Sequence, residues 1–351
     1  MKLWLDVLTP KQANLFAELQ NRLHAKGMRT LLTTREYREV NELLALKEIK
    51  SISVGRHGGA GLEDKLIESA RRIQALSKLI EEERPDVAIS FSSPEAARVA
   101  FGLGIPHYCI SDSPHAEAVS KLTIPLSQKL FTPWLIPLYA WEKYCIGHRD
   151  IIRYHGLDPA AWLDNYKLNS KTLDGLKIDT QKPIILIRTP EEFAAYLSGH
   201  AASSRASEII GKILDQNREL QIVVLPRYKN QSEKLTKRFG NKIIVAEHVV
   251  DAISLLHLSS VFIGGGGTMT AEAALLGIPV ISYYPGDPTF VERFLINYGL
   301  VERLHDPGRV AQRAITISES TEFREFYRKK SVKLRKSMED PLKVIIQRIL
   351  K

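Results

Sequence analysis

Four consecutive glycines, Gly264 to Gly267, stand between the apolar run Val261-Phe262-Ile263 and the segment Thr268 to Leu276. A short apolar run of this kind predicts a buried parallel strand, and the segment after the glycines reads as a helix. The free N–H groups of such a strand-to-helix turn lie at the positive end of the helix, where diphosphates bind without any side-chain charge. A tight turn alone needs fewer than four glycines. The segment also has an echo: Val87-Ala88-Ile89-Ser90 is followed by Leu103-Gly104-Ile105-Pro106, and Leu276-Gly277-Ile278-Pro279 lies 173 residues later. A repeat at half the chain length predicts two similar α/β domains, of which only the second carries the glycines.

The rest of the chain alternates in the same manner. In the first half, strands are expected at 2–8, 30–33, 51–54, 86–91, 108–111, 130–131 and 151–154, with helices at 12–26 and 63–83. The second helix is read with Leu66, Ile67, Ala70, Ile73, Leu76 and Ile80 inward. After a break near Gly156-Leu157-Asp158-Pro159, strands recur at 183–187, 220–225, 242–245, 261–263 and 280–283. Such alternation means parallel sheets with right-handed crossovers. The expected domains are 1–157, 158–315 and a basic helical segment, 316–351, packing back on the first.

Composition narrows the function classes. Cys109 and Cys145 give no disulfide framework. Cys145-Ile146-Gly147-His148 with His155 lacks the paired clusters of a zinc site, so no metal is expected. Met1 to Asp6 is too soon charged to be a signal core, and Pro133 and Pro137 interrupt the apolar stretch 130–141, so no bilayer span is expected and the location reads as cytoplasmic. Neither a dinucleotide fingerprint nor a P-loop fits the glycines, and no cofactor is expected. Residues 321–351 hold ten Lys/Arg against four acids, which is +6 of the net +9. That segment reads as a solvated helix with Val332, Leu334, Ile345, Ile346 and Leu350 inward, or as peripheral contact with an anionic membrane or a polyanionic partner. Nucleic acid is not expected, because no stacking aromatics accompany the charge.

Several side chains stand at strand ends, where open α/β sheets bind ligands. Arg188 and Arg227 each follow a second-half strand, and either suits phosphate bidentately or merely lies at the surface. In the first half, His57-Gly58-Gly59-Ala60-Gly61 joins a strand to a helix and can approach an anion or sugar. Asp112 and His115 share one loop, a carboxylate and an imidazole of the kind that removes a proton from an acceptor hydroxyl. Asp6 closes the first strand. Each of these also reads as a loop-stabilising hydrogen-bonder.

The run Gly264 to Pro279 resembles the nucleotide-binding signature of the UDP-N-acetylglucosamine 2-epimerase and GT-B glycosyltransferase superfamily. There a glycine pair opens a helix that carries a glutamate, before an L-G-x-P ending. Over about residues 1–300 the chain is similar to a microbial family known only as a domain of unknown function within it. The matching features are Trp4-Leu5-Asp6 with Pro10, His57-Gly58-Gly59, Pro85-Asp86-Val87, Asp112-Ser113-Pro114-His115-Ala116 and Tyr154-His155-Gly156. Arg188, Ala195-Tyr196, Leu225-Pro226-Arg227 and Gly264–Pro279 complete them. The resemblance implies two Rossmann-like domains facing across a cleft, with a nucleotide-sugar, in particular a UDP-sugar, on the second. Gly265, Gly266, Gly267 and Thr268 would then meet the diphosphate and Glu272 the ribose, Arg188 and Arg227 would assist, and the acceptor would meet the His57-Gly58-Gly59 side.

One departure bears on the reaction. The stretch Arg188-Thr189-Pro190-Glu191-Glu192 lacks the histidine that follows the equivalent epimerase strand, and the paired glutamates are reduced to Glu272 after Ala271. Hexosyl or N-acetylhexosaminyl transfer is therefore the expected activity, with Asp112, His115 and Asp6 as candidate bases. Epimerisation or hydrolysis of the nucleotide-sugar, and non-catalytic binding of it, are the alternatives. Lipid-linked acceptors, common among such transferases, would give the basic segment a reason to touch the inner membrane face.

Overall fold

The structure, a computed structural model, describes all residues except 60, 165, 170–174, 191–200, 218 and 351, and within the helix from Ala201 it omits the side chains of 201–204. Ala60, Glu191, Glu192, Ala195, Tyr196 and Lys351 of the motifs above thus lie outside the described residues. Two compact units make up the chain: Met1–Asp164 with Met338–Lys351, and Asn165–Ser337.

The first unit holds strands β1 (Lys2–Asp6), β2 (Arg29–Glu36), β3 (Ile52–Arg56), β4 (Val87–Ser90), β5 (His107–Ile110), β6 (Lys129–Pro133) and β7 (Ile151–Tyr154). All are parallel, in the order β3-β2-β1-β4-β5-β6-β7. The second holds β8 (Ile184–Arg188), β9 (Gln221–Leu225), β10 (Ile244–Val245), β11 (Val261–Gly264), β12 (Val280–Ser282) and β13 (Val301–Arg303), parallel in the order β10-β9-β8-β11-β12-β13. Every residue of Ile184-Ile185-Leu186-Ile187 and of Val261-Phe262-Ile263 is buried, as continuous apolar runs covered on both faces should be.

The repeat read in the sequence is a repeat of structure. β4 and β11 each lie between the first and third members of an equivalent trio, β1-β4-β5 and β8-β11-β12. The helices after them, Pro94–Gly102 and Thr268–Leu276, end alike, with Gly104 at φ 69° and Gly277 at φ 77°. Behind each glycine the chain re-enters the sheet by the same bond: Ala88 N–H donates to Pro106 O, and Phe262 N–H to Pro279 O, both at 2.9 Å. The two copies differ at the helix start. Ser93 caps its helix, its hydroxyl accepting from the Ala96 N–H, whereas the cap position of the other helix is Gly267 and no side chain caps it.

Two features depart from the expected pattern. The helix Leu62–Glu83 buries Glu68, Arg72, Leu76 and Ile80 and leaves Leu66 72% and Ile67 40% exposed. It is rotated from its apolar stripe because Arg72 turns inward to a buried carboxylate. The C-terminal segment is divided: the helix Thr321–Lys336 belongs to the second unit, and only Pro341–Ile349 returns to the first. Ile345 and Ile346 are buried there, Leu334 is buried in the second unit, and Val332 and Leu350 face outward. No described helix is long and apolar enough to cross a membrane.

The twin glycines separate backbone strain from crowding. A Cβ on Gly277 would stand 2.7 Å from the Arg328 Cα, whereas one on Gly104 would meet nothing within 4 Å. Gly104→Ala should cost about 1–2 kcal/mol, for the left-handed conformation alone. Gly277→Ala should cost about 1–3 kcal/mol more, because the helix Thr321–Lys336 must shift. Chemical unfolding of the two variants checks the difference.

Candidate functional site

The carboxyl ends of β9, β8, β11 and β12 bring the second-half candidates together. Arg188 is in register with Gly264 and with Leu225, and Gly264 with Ser282. The chain leaves β11 through Gly265, Gly266 at φ 84° and Gly267 at φ 90°, and the helix starts at Thr268. Two consecutive left-handed residues are accessible only to glycine at low cost. A Cβ on Gly265 would come within 3.1 Å of Pro190, whereas one on Gly267 would meet no protein atom within 4 Å. No side chain caps the N–H groups at this helix start, and with the open space over Gly267 they are suited to an oxyanion. Glu272, the fifth residue of the helix, is 3% exposed.

The arginine loops are fixed by a buried glutamine. Gln231 Oε1 accepts from the Arg227 N–H at 2.9 Å and from Thr189 Oγ1 at 2.6 Å, and Gln231 Nε2 donates to Pro190 O at 3.2 Å. Arg188 Nη1 donates to Pro226 O at 3.2 Å, tying the two loops to each other. Beside them the Tyr283 hydroxyl donates to the Arg188 carbonyl at 3.1 Å. Burial pushes this phenol well up, and Arg205, Arg188 and Arg227 pull it back, so three guanidinium groups act on one hydroxyl next to the glycine loop. Arg205 was not legible in the sequence. It lies inside the helix Ala201–Gln216, not at a strand end, and only the fold brings it near. Gln231 was equally invisible, because a lone glutamine in a polar helix carries no signal.

In the first unit the candidates are scattered. The His57 loop follows β3 at the sheet edge, four strand spacings from β5, about 19 Å. His57 stacks on Tyr37 with ring centroids 5.6 Å apart, and its Nδ1 accepts from the Gly59 N–H at 3.1 Å. Gly58 allows the close approach of the helix Leu62–Glu83, since a Cβ there would stand 2.6 Å from the Lys65 Cα. The structure therefore separates this loop from Asp112 and His115.

Asp112 belongs to a cluster that the sequence did not disclose. Lys11 Nζ lies 2.5 Å from both Asp112 Oδ2 and Asp158 Oδ2, and over the Phe91 ring at 4.2 Å. Ser113 Oγ donates to Asp112 Oδ1 at 2.8 Å, and the Tyr154 hydroxyl donates to Asp158. Burial raises both carboxyls; Lys11 outweighs it at Asp112, which falls below its usual range, and does not at Asp158, which rises with help from the Asp112 charge. His115 stands on the same loop, its pKa lowered by partial burial against the pull of Asp112. Lys11 and the pair Tyr154 and Asp158, four residues apart, come from distant stretches, and no spacing rule links either to Asp112.

Asp6 is fully buried and accepts four hydrogen bonds: from Thr33 Oγ1 at 2.6 Å, Ser93 Oγ at 2.6 Å, Arg72 Nη1 at 3.0 Å and Arg72 Nη2 at 2.6 Å. Ser93, whose counterpart in the other unit is Gly267, is thereby committed to capping and to Asp6.

A sequence profile of the family described as "Protein of unknown function (DUF354)" matches residues 1–351. An uncharacterized protein of Methanocaldococcus jannaschii is 34% identical over 304 residues, 84% of this chain and 85% of that protein. Among solved structures, the UDP-GlcNAc 2-epimerase of the same organism, in complex with UDP-GlcNAc and UDP, matches with a TM-score of 0.76 at 16% identity. It covers 100% of this chain and 99% of that one. The spinosyn forosaminyltransferase matches with a TM-score of 0.65 at 15% identity, covering 99% and 98%. At such identities the likeness establishes the fold, the pair of parallel α/β units of GT-B proteins.

The buried pair in the first unit gives a sharp expectation. Burial opposes the Asp6 charge, but Arg72 and the two hydroxyls hold its pKa below the usual carboxylate range. Its stabilising contribution is therefore present above the unfolded aspartate value of about 3.9 and lost as pH falls through the lower folded value. Arg72→Met should cost about 3–5 kcal/mol at neutral pH by leaving a lone buried carboxylate. That carboxylate protonates readily, so the deficit relative to wild type should narrow as pH falls toward about 4. Urea unfolding of both proteins at pH 7 and pH 4.5 measures it.

Proposed function

Because the chain belongs to the DUF354 family, whose description names no activity, we propose from its own residues that the second unit binds a nucleotide-sugar. The diphosphate lies on the backbone of Gly265, Gly266, Gly267 and Thr268, and Glu272 accepts from the ribose hydroxyls. Arg188 and Arg227 supply countercharge. One observation carries this reading: of two equivalent helix starts, one is closed by Ser93 and the other is left open by Gly267 with left-handed glycines before it. Similarity to solved proteins named for UDP-GlcNAc and for glycosyl transfer supports the same ligand class.

The reaction we favour is transfer of a hexosyl or N-acetylhexosaminyl group to an acceptor hydroxyl. Asp112, ionised beside Lys11, receives the acceptor proton, and the arginines with the helix end stabilise the departing diphosphate. Asp6 serves stability in this scheme, since all its hydrogen bonds go to protein groups. The alternative, nucleotide-sugar epimerisation or hydrolysis, draws support from the match to a 2-epimerase at TM-score 0.76. Incubating UDP-sugars with the protein alone and following them by NMR distinguishes the two: turnover without an acceptor favours the alternative, and intact sugar at full occupancy favours transfer. Binding without turnover under any acceptor leaves a non-catalytic nucleotide-sugar protein.

Calorimetry with UDP tests the site itself. Glu272→Gln should weaken UDP binding about tenfold or more, the worth of a buried hydrogen bond to a charged group. Gly266→Val should abolish it, because valine cannot hold φ 84° and its side chain would press on the Tyr284 ring. Unchanged affinity in both variants refutes the assignment.

We also propose peripheral contact of the helix Thr321–Lys336 with an anionic membrane. Its flank carries Lys329, Lys330 and Lys333, which with Tyr298 and the 53%-exposed Phe326 line an open hollow of about 480 Å³. Three lysines near an anionic surface contribute about 3 kcal/mol, and Phe326 offers a ring for shallow insertion. Replacing all three by glutamine should release the protein from anionic vesicles at low salt in a sedimentation assay. If the wild type ignores such vesicles, the helix has no membrane role.

A further inference from the structure

Charge is divided across the glycine loop. Toward β8 and β9 stand Arg188 and Arg227; toward β12 stands a buried carboxylate that none of the motifs includes. Glu292 is the third residue of the helix Phe290–Asn297 and is 4% exposed. Its N–H donates to Thr289 Oγ1 at 3.2 Å, and its Oε1 accepts from Ser282 Oγ, at the end of β12, at 2.5 Å. Backbone and one carboxylate oxygen are thus fixed. The other, Oε2, has no hydrogen-bond donor or cation among the described residues, and it is aimed at the loop: a Cβ built on Gly266 would stand 3.6 Å from it. The Tyr284 ring closes the same spot at 3.4 Å, and the loop behind it is held by Arg303 Nη2, which donates to the carbonyls of Tyr284 and Gly286.

Glu292 is nearly buried and Oε2 is the oxygen left without a protein donor, so a ligand group that displaces water from it must supply one. A phosphate cannot supply one, and like charges in a shared low-dielectric site repel. A hydroxyl supplies a short, charge-assisted bond. The phosphates of a bound nucleotide-sugar therefore belong on the arginine side of the loop, and a hydroxylated group belongs on the β12 side. Glu272, further along the glycine-loop helix, is already placed for the ribose, which leaves the group on the far side of the diphosphate.

We propose that Glu292 accepts a hydrogen bond from a hydroxyl of the sugar moiety, so that the site distinguishes a nucleotide-sugar from the bare nucleoside diphosphate. The inference rests on the nucleotide-sugar reading above and adds a residue and a specificity to it.

Calorimetry on the full-length protein tests it, with UDP, UDP-glucose, UDP-galactose and UDP-N-acetylglucosamine as probes. In the wild type at least one UDP-sugar should bind more tightly than UDP. Glu292→Gln keeps the shape and the bond from Ser282, and it should erase that advantage, about tenfold or more, while changing UDP affinity little. Ser282→Ala, which frees the carboxylate to swing, should erode the same ratio less. Thermal melts confirm that both variants are folded. The inference is overturned if Glu292→Gln weakens UDP and UDP-sugars equally, since the carboxylate then serves the ribose or the fold. It is also overturned if the ratio stays at the wild-type value, or if no UDP-sugar gains over UDP. Failure of the underlying reading looks different: the wild type itself binds none of the four probes, and both ideas fall together.

Discussion

Everything at the candidate site depends on the absence of Cβ atoms over four residues at the end of one central strand. β11 is flanked by β8 and β12, so whatever follows Gly264 must turn upward between the loops of both neighbours. Gly265 passes Pro190 at a distance a side chain would obstruct, and Gly266 and Gly267 adopt left-handed angles. Side chains there would clash or strain the turn. With glycines the backbone itself is left uncovered, and the helix dipole behind it supplies the positive potential on which the proposed binding rests.

The first unit shows what the same turn becomes without glycines. Ser93 occupies the cap, its hydroxyl accepting from the Ala96 N–H and donating to Asp6 Oδ2. Asp6 in turn fixes Arg72 and with it the rotation of the helix Leu62–Glu83. One topology thus ends in a capped helix in one copy and an uncapped one in the other, and the difference lies in whether the cap position carries a hydroxyl. A buried ion pair of this kind is a poor source of net stability against an apolar replacement. It does explain why apolar Leu66 and Ile67 are exposed while Glu68 and Arg72 are buried.

Polarity at the second site is organised by strand order. Arg188 and Arg227 follow the two strands on one side of β11, and Glu292 follows the strand on the other. Gln231 holds the cationic side and Ser282 the acidic side, each through buried hydrogen bonds that cost little conformational freedom at the moment a ligand arrives. The first unit offers a different arrangement, a lysine between two aspartates. There burial and charge pull the two carboxyls apart, Asp112 toward the ionised form and Asp158 toward the neutral one.

The sequence by itself determined the class of fold, the repeat and the glycine loop, because each is written in local signals: apolar runs of strand length, the paired Leu-Gly-Ile-Pro endings, and glycines at strand ends. All the expected strands are present, and β13 escaped notice because Val301-Glu302-Arg303 is short and charged at a sheet edge. Tertiary structure alone decided which charges meet. Lys11 with Asp112 and Asp158, Arg72 with Asp6, Arg205 with Tyr283, and Glu292 with the glycine loop are joined across tens of residues or from inside helices. Sequence periodicity reports which face of an element is apolar. It carries no record of which polar side chain is drawn inward, since that depends on a partner supplied by another strand and on the desolvation that only the assembled core imposes.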